Sequence, residues 1–259
     1  MFKRIISAVI LFPLLIFLLL KSPVWFLKVL ILLVGVICFH EWIGLYDFSL
    51  PWFFYGSGIL CASLFSGFFV RSLPLFFIFF FFLFFSFIPH MFKYKKEFFK
   101  VYFFPFSLGL FYLWTGLYPL GKIIDLKGSV ILIYFFSVVF GNDTGAYISG
   151  KTFGRHKFFP GLSPKKTWEG FFGGIILAVI AGIIVNRIFH FFSFPTGLLI
   201  SILLGIIATI GDLFESAFKR AVGKKDAGTL IPGHGGMLDR IDGVLFASPV
   251  FLFIISTIK

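Results

Sequence analysis

The chain has 259 residues, of which 59% are hydrophobic, 22% aromatic and only 13% charged, with a formal net charge of +12. So little charge over such a length excludes an ordinary soluble domain and points to a membrane protein. Cys38 and Cys61 are its only cysteines, with no CxxC pair or Cys/His cluster, which excludes a disulfide framework and a zinc site.

A helix crosses a hydrocarbon core of about 30 Å with about 20 apolar residues. Nine segments are candidate spans, near residues 5–20, 24–39, 52–70, 73–89, 101–120, 129–148, 170–188, 194–211 and 243–258. Their apolar runs are continuous, whereas barrel strands alternate, so the predicted fold is an all-α polytopic integral membrane protein. The first run follows Lys3 and Arg4 as in a signal peptide. It leads to Lys21-Ser22-Pro23 and another span instead of a small-residue cleavage site, and is read as retained. Spans three and four, and seven and eight, are expected to form helical hairpins. The 44 phenylalanines, including FFIFFFFLFF at 76–85, are read as interchangeable lipid-facing residues.

Nine spans put the termini on opposite sides of the membrane. The positive-inside rule favours a cytoplasmic N-terminus and an outer C-terminus, because that choice places 16 of the 23 basic residues in the cytoplasm. The net charge then reflects topology and anionic lipid first, and an anionic substrate second.

Seven of the eleven carboxylates fall between Asp143 and Asp242. Residues 1–128, about five helices, are read as a transmembrane scaffold. Residues 129–259, about four helices with two cytoplasmic loops, are read as the catalytic region of one integrated membrane domain.

The sixth span ends in Gly141-Asn-Asp-Thr-Gly-Ala-Tyr147. An ionisable group at the membrane centre costs about 2.5–3.5 kcal/mol, so Asn142 and Asp143 are expected to face a cavity or partner. Glycines 141, 145, 150 and 154 allow close approach of backbone to ligand. Lys151, Arg155, Lys165 and Lys166 suit phosphate oxygens. Gly150-Lys151-Thr152 lacks the spacing and preceding strand of a nucleotide-binding P-loop, and that reading is rejected.

Residues 212–243 hold five acidic and five basic side chains. If the eighth span continues as helix past Gly211, then Asp212, Glu215, Ser216 and Lys219 share one face. Asp239 and Asp242 share another at the mouth of the last span. Asp143, Asp212 and the Asp239/Asp242 pair thus stand at three helix ends of one depth. Hard oxygen ligands without His or Cys suit Mg²⁺, which keeps waters and completes its shell from substrate phosphates. Between them Leu230-Ile-Pro-Gly-His-Gly-Gly236 forbids regular helix and can offer amides to an anion. His234 is either a phosphate donor or a packing residue of that loop. The competing reading of the whole constellation is a set of ordinary ion pairs. Against it, carboxylates, bases and phosphate-loop glycines occur together at one membrane face.

Ser216-Ala-Phe-Lys219-Arg220, four residues, Lys225-Asp226-Ala-Gly, then Leu230-Ile-Pro-Gly-His234-Gly-Gly-Met-Leu-Asp239-Arg240-Ile-Asp242 resembles the signature of the phosphatidate cytidylyltransferases, or CDP-diacylglycerol synthases. No position departs from it, and the GNDTGAY and SPKKTWEG segments resemble that family too. Motif resemblance covers roughly 140–243, while residues 1–128 agree only as hydrophobic spans. The resemblance implies an enzyme of phospholipid biosynthesis that condenses CTP with phosphatidic acid to give CDP-diacylglycerol and pyrophosphate. It also implies a homodimer in the bacterial cytoplasmic (inner) membrane, a site open to the cytoplasm and to membrane lipid, and no nucleic-acid partner. The implied cofactor is Mg²⁺, as two divalent ions or one divalent plus one monovalent. The implied metal residues are Asp212 and Asp239, with Asp143 and Asp242 completing or orienting the shell. Lys219, Arg220, Ser216 and His234 are the expected catalytic contacts. Asn142, Lys165, Lys166, Lys225, Asp226 and Arg240 are expected on the substrate side, with Asp226 and Arg240 equally suited to an ion pair within the loop.

Three rival readings share part of this pattern. A CDP-alcohol phosphotransferase calls for Asp-Gly-x-x-Ala-Arg and later acids, and here no carboxylate follows Asp242. A CTP-dependent lipid kinase would share the site but release CDP. A phosphate-handling transporter is of another class and would place substrate near the bilayer midplane within internal repeats, which this chain lacks.

Overall fold

The computed structural model describes residues 2–48, 50–69, 103–228 and 235–258, and their side chains from residue 11 onward. Eight helices occur among the described residues: α1 (Phe2–Lys21), α2 (Val24–Leu45), α3 (Leu50–Phe69), α4 (Phe104–Lys127), α5 (Ile131–Phe153), α6 (Trp168–Phe189), α7 (Phe194–Ala221) and α8 (Leu238–Thr257). Eight of the nine expected spans coincide with these helices, and the expected span at 73–89 lies outside the described residues. Among the described residues, α2, α3, α5, α6 and α7 are each long and apolar enough to cross a membrane.

The helices outrun the apolar segments that announced them. α5 continues to Phe153, α7 to Ala221, and α8 starts at Leu238 instead of near 243. Hydropathy marks the part of a helix that meets lipid, but intrahelical hydrogen bonds persist wherever the polar ends find tertiary partners. Asp212 and Asp239 therefore stand on helix beyond the expected spans, and Asp143 stands within one.

The all-α expectation needs one addition, a two-stranded antiparallel hairpin of β1 (Lys157–Phe159) and β2 (Ser163–Thr167). Lys157 pairs with Thr167 and Phe159 with Ser163 around a Pro160-Gly161 turn. This segment is rich in charge and Pro/Gly and lacks the apolar run a span needs. Thr167 then caps α6, its side-chain oxygen accepting from Gly170 N at 3.1 Å.

Polar contacts sort the helix ends into two groups. At one end Trp42 Nε1 on α2 donates to Pro105 O at the start of α4 (2.9 Å), and Lys166 on β2 meets Asp212 on α7 (2.7 Å). At the other, buried Lys28 near the start of α2 pairs with Asp125 near the end of α4 (2.7 Å) and donates to Phe68 O on α3 (2.9 Å). Ser129, just before α5, donates to Leu19 O on α1 (2.7 Å). Between the two layers runs an apolar core built around Phe39, Trp42, Phe106, Tyr134, Phe135 and Phe251. Its polar groups are paired across helices. Tyr134 OH donates to Gly197 O (2.7 Å), and Ser248 donates to Gly116 O.

In lipid, helices associate through close packing more than through exclusion of water, which favours small residues at interfaces. α5 and α6 meet through such a seam, with Gly145 against Gly173, Gly150 against Gly170, and Gly141 against Leu177, Ala178 and Ala181. A Cβ on Gly145 would sit 2.5 Å from Gly173 O, a backbone atom that cannot rotate aside. We expect Gly145→Ala to destabilise the protein by about 1–3 kcal/mol through overpacking. Gly58→Ala on α3, where nothing lies within 4 Å, is the matched control and is expected to be neutral or slightly stabilising. Thermal unfolding of both variants in detergent checks the contrast.

Candidate active site

The site grows from one buried cation. Lys219, near the end of α7, reaches Asp239 Oδ1 on α8 at 2.6 Å and lies 3.4 Å from Glu215 Oε1, one turn back on its own helix. Asp239 also accepts from Ala227 N (3.0 Å) and Gly236 N (2.8 Å), so it gathers the segment before α8 around itself. Glu215 is fully buried, and neither of its oxygens has a hydrogen-bond partner among the described residues. A buried carboxylate left this way is costly unless opposite charge is nearby.

Two further acids stand close by. Asp242 is buried one turn into α8, with Oδ1 accepting from Gly243 N at 2.6 Å, and it lies within electrostatic reach of Asp212 and Glu215. Asp143, solvent-accessible on α5, faces Asp242 and Asp212 as like charges and Lys166 and Arg240 as opposite ones. The hairpin closes the group. Lys166 on β2 pairs with Asp212 Oδ2 at 2.7 Å, and Arg220 Nε on α7 donates to Leu162 O at 3.4 Å.

The structure thus brings together Asp143, Asp212, Asp239, Asp242, Lys166 and Lys219, from α5, β2, α7 and α8. The expected shared face of α7 is present: Ser216 Oγ donates to Asp212 Oδ1 (3.3 Å), which directs that hydroxyl along the helix. Asn142 is buried and donates to Thr209 Oγ1 on α7 (3.0 Å), so it ties two helices instead of facing open space. Lys165, Lys225, Asp226 and Arg240 are exposed around the rim. Arg220 is exposed too, and its guanidinium also binds Lys224 O (3.1 Å). Lys151 and the Gly150-Lys151-Thr152 run lie in the last turn of α5, far from a P-loop's setting after a strand. His234, Pro232 and Gly233 lie outside the described residues.

Sequence reasoning passed over three groups. Glu215 was placed on one face with Lys219 but given no role in the site, yet it is the buried partner of Lys219. Tyr112 on α4 is buried with its hydroxyl unpartnered among the described residues, and lies within electrostatic reach of Glu215 and Asp242. Glu41 on α2 accepts from Met237 N (2.9 Å) and Leu238 N (2.7 Å) at the start of α8. No local motif announces Glu41, since its partners are almost two hundred residues away.

Among the described residues, no three Asp, Glu, His or Cys side chains converge tightly enough to enclose a metal ion unaided. A hard divalent cation needs less, since it binds through one or two carboxylates and takes water and phosphate oxygens for the rest. The all-oxygen donor set suits such an ion. Asp212 and Asp239 each already face a cation, and Glu215 carries unsatisfied oxygens.

A family model described as "Cytidylyltransferase family" matches residues 2–258. The chain belongs to this family. Among curated relatives of this cytidylyltransferase-family chain, "Phosphatidate cytidylyltransferase" of Staphylococcus haemolyticus (strain JCSC1435) is 47% identical over 120 residues, 46% of each chain. "Uncharacterized protein YnbB" of Escherichia coli (strain K12) is 41% identical over 128 residues, 49% of this chain and 43% of its own. "Phosphatidate cytidylyltransferase" of Bacillus subtilis (strain 168) is 40% identical over 134 residues, 51% of this chain and 50% of its own. In these matches the chain spans about half the length of the curated relatives.

Removing the Lys219 charge leaves Glu215 and Asp239 facing each other across a buried gap. We expect Lys219→Met to destabilise the protein by about 3–5 kcal/mol, the range for breaking a buried pair from one side. Adding Glu215→Gln is expected to recover part of that loss, and a double-mutant cycle of unfolding measurements reads the coupling.

Proposed function

We propose that this chain transfers the cytidylyl group of CTP to phosphatidic acid, forming CDP-diacylglycerol and pyrophosphate. The observation that carries the reading is the meeting of Lys166–Asp212 and Lys219–Asp239 from two separate segments of the family motif, beside a surplus of buried carboxylate. Membership of the cytidylyltransferase family and relatives named phosphatidate cytidylyltransferase support the same assignment.

The chemistry follows from charge. Phosphatidic acid is anionic near neutrality, so its phosphate oxygen attacks the α-phosphorus of CTP without a strong general base. The new P–O bond forms as the bond from the α-phosphorus to the α–β bridging oxygen breaks, and that oxygen leaves with the electron pair on pyrophosphate. The obstacle is repulsion between two anions, so catalysis consists of positioning and neutralisation. Lys166 and Lys219 turn their ammonium groups from protein carboxylates to phosphate oxygens, and Lys165 and Arg220 add charge from the rim. Asp212 and Asp239 would hold magnesium, with Asp143 and Asp242 orienting its shell. When bound, the ion withdraws charge from the triphosphate and steadies the leaving pyrophosphate. Ser216 and His234 contact phosphate, while Lys225, Asp226 and Arg240 shape the nucleotide side and Asn142 holds α5 to α7 behind them. The working unit in this proposal is a homodimer in the bacterial inner membrane.

The site lies at one layer of helix ends, which suits one water-soluble and one membrane-dissolved substrate. We place that layer at the cytoplasmic face, because it carries Lys151, Arg155, Lys157, Lys165, Lys166, Lys219, Arg220, Lys224 and Lys225.

Purified protein in detergent, given phosphatidic acid, Mg²⁺ and CTP labelled separately at the α- and γ-phosphates, tests the reaction. The expected result is α-label in lipid and γ-label in pyrophosphate. Label from the γ-position in lipid would overturn the proposal in favour of a kinase, and absence of any transfer would overturn cytidylylation. For topology, a thiol placed at Ser163 in a background lacking Cys38 and Cys61 is expected to react with an impermeant reagent only from the cytoplasmic side. Reaction from outside refutes the orientation.

A further inference from the structure

We propose that Glu41, on α2 in the half of the chain without family motifs, is a positioning residue: it holds both ends of the segment between Gly228 and Leu238 and thereby sets where Asp239 and Asp242 stand. Its predicted effect on rate rests on the cytidylyl-transfer reading, while its effect on backbone order does not.

The start of α8 needs acceptors that its own sequence does not provide. The first amides of a helix have no intrahelical partner. Here the N-cap residue is Met237, which makes no side-chain capping bond, and two glycines precede it. Asp239 in the first turn folds back to Gly236 N and Ala227 N. The amides of Met237 and Leu238 remain, and Glu41 accepts from both, one through each oxygen, at 2.9 and 2.7 Å. A carboxylate at a helix N-terminus is favoured by the helix dipole and by charge-assisted hydrogen bonds. Glu41 is itself 6% exposed, so water is a poor substitute for those amides.

The same carboxylate presses on the other end of the segment. A Cβ on Gly228 would lie 2.7 Å from Glu41 Oε1, and one on Gly236 would lie 2.5 Å from Oε2. Glycine at both places lets the backbone lie flat against Glu41. Gly236 is therefore held twice, its amide by Asp239 and its α-carbon face by Glu41. Displacing Glu41 would release the turn that carries Asp239, and with it the contact to Lys219.

α2 is a firm base for this contact. Trp42, next to Glu41, donates to Pro105 O and packs its ring 5.2 Å from that of Phe218 on α7. A second tie lies three residues on, where Lys224 Nζ donates to Gly44 O (2.7 Å) and Asp47 Oδ1 (2.9 Å). The end of α2 thus grips the segment from Lys224 to Leu238 near both its limits.

The test compares wild type, Glu41→Gln and Glu41→Ala as full-length protein in detergent. It measures kcat and KM for CTP, thermal unfolding, and hydrogen exchange of the amides from Ala227 to Asp242. Gln keeps the size and one acceptor but turns an amide donor toward a donor, and Ala removes both acceptors. We expect kcat to fall about tenfold in Glu41→Gln and about a hundredfold in Glu41→Ala, with KM for CTP within about threefold of wild type, the pattern of misplaced groups that act in the transition state. Exchange is expected to accelerate at Ala227 and Gly228 and in 235–242, and to stay unchanged in α5 and α6. Wild-type kcat and exchange in both variants would overturn the proposal. So would a rate loss that follows a global fall in melting temperature, with exchange accelerated in every helix. If wild type itself transfers nothing from CTP, the functional reading falls, and the exchange pattern alone decides whether Glu41 positions this segment.

Discussion

An ammonium shared between carboxylates of two helices is the interaction on which the site depends. Lys219 stands between Glu215 on its own helix and Asp239 on α8. Each of these groups would be expensive to bury alone, and together they fix how far α7 and α8 stand apart. The arrangement is local in space and remote in sequence. It exists only because α7 runs on past its apolar part to Ala221 and α8 begins before its own, at Leu238. Helices cut to the lipid-facing length would leave these residues in loops, where the charges would be solvated and the geometry lost.

How much of this was legible in the sequence depends on the range of the signal. Continuous apolar runs marked eight of the helices now described, because a span must satisfy its backbone internally and its length is fixed by the bilayer. The common face of Asp212, Glu215, Ser216 and Lys219 was legible from helical spacing alone. Helix ends were misjudged by up to ten residues, since hydropathy falls to polar values while the hydrogen-bond ladder continues. The hairpin at 157–167 was missed because two short exposed strands have too few residues for an alternating pattern. Pairings between segments were not legible at all. Nothing in the order of residues says that Lys166 will meet Asp212, or that Asn142 will be consumed in a bond to Thr209.

Glu41 shows the same limit from the other side. The N-terminal half has few charges, and a lone Glu in an apolar helix is easily passed over. Its meaning lies in what the other half omits: α8 starts after two glycines with no capping side chain of its own. Local sequence and distant sequence are complementary here. Glycines at 228 and 236 make room for a carboxylate that arrives from α2, and α2 in turn is locked by Trp42 against α4 and α7.

Under the proposed cytidylyl transfer, the balance of charge in the site would follow the demands of joining two phosphates. Lysines alone would bind a triphosphate tightly in the ground state, which lowers KM without accelerating the chemical step. Lysines already held by carboxylates would give up one anionic partner as they gained another, so ground-state binding would be moderated while the ammonium groups stayed in place. In that reading the same carboxylates would offer oxygen ligands to a hard cation, whose charge would offset that of the pyrophosphate. Placing these groups on helix ends packed through glycine seams and backbone-anchored side chains means little reorganisation remains for the moment of reaction. An open loop with the same composition would bind the same anions, but it would have to be ordered at each turnover, and the entropy of that ordering would be charged to the barrier.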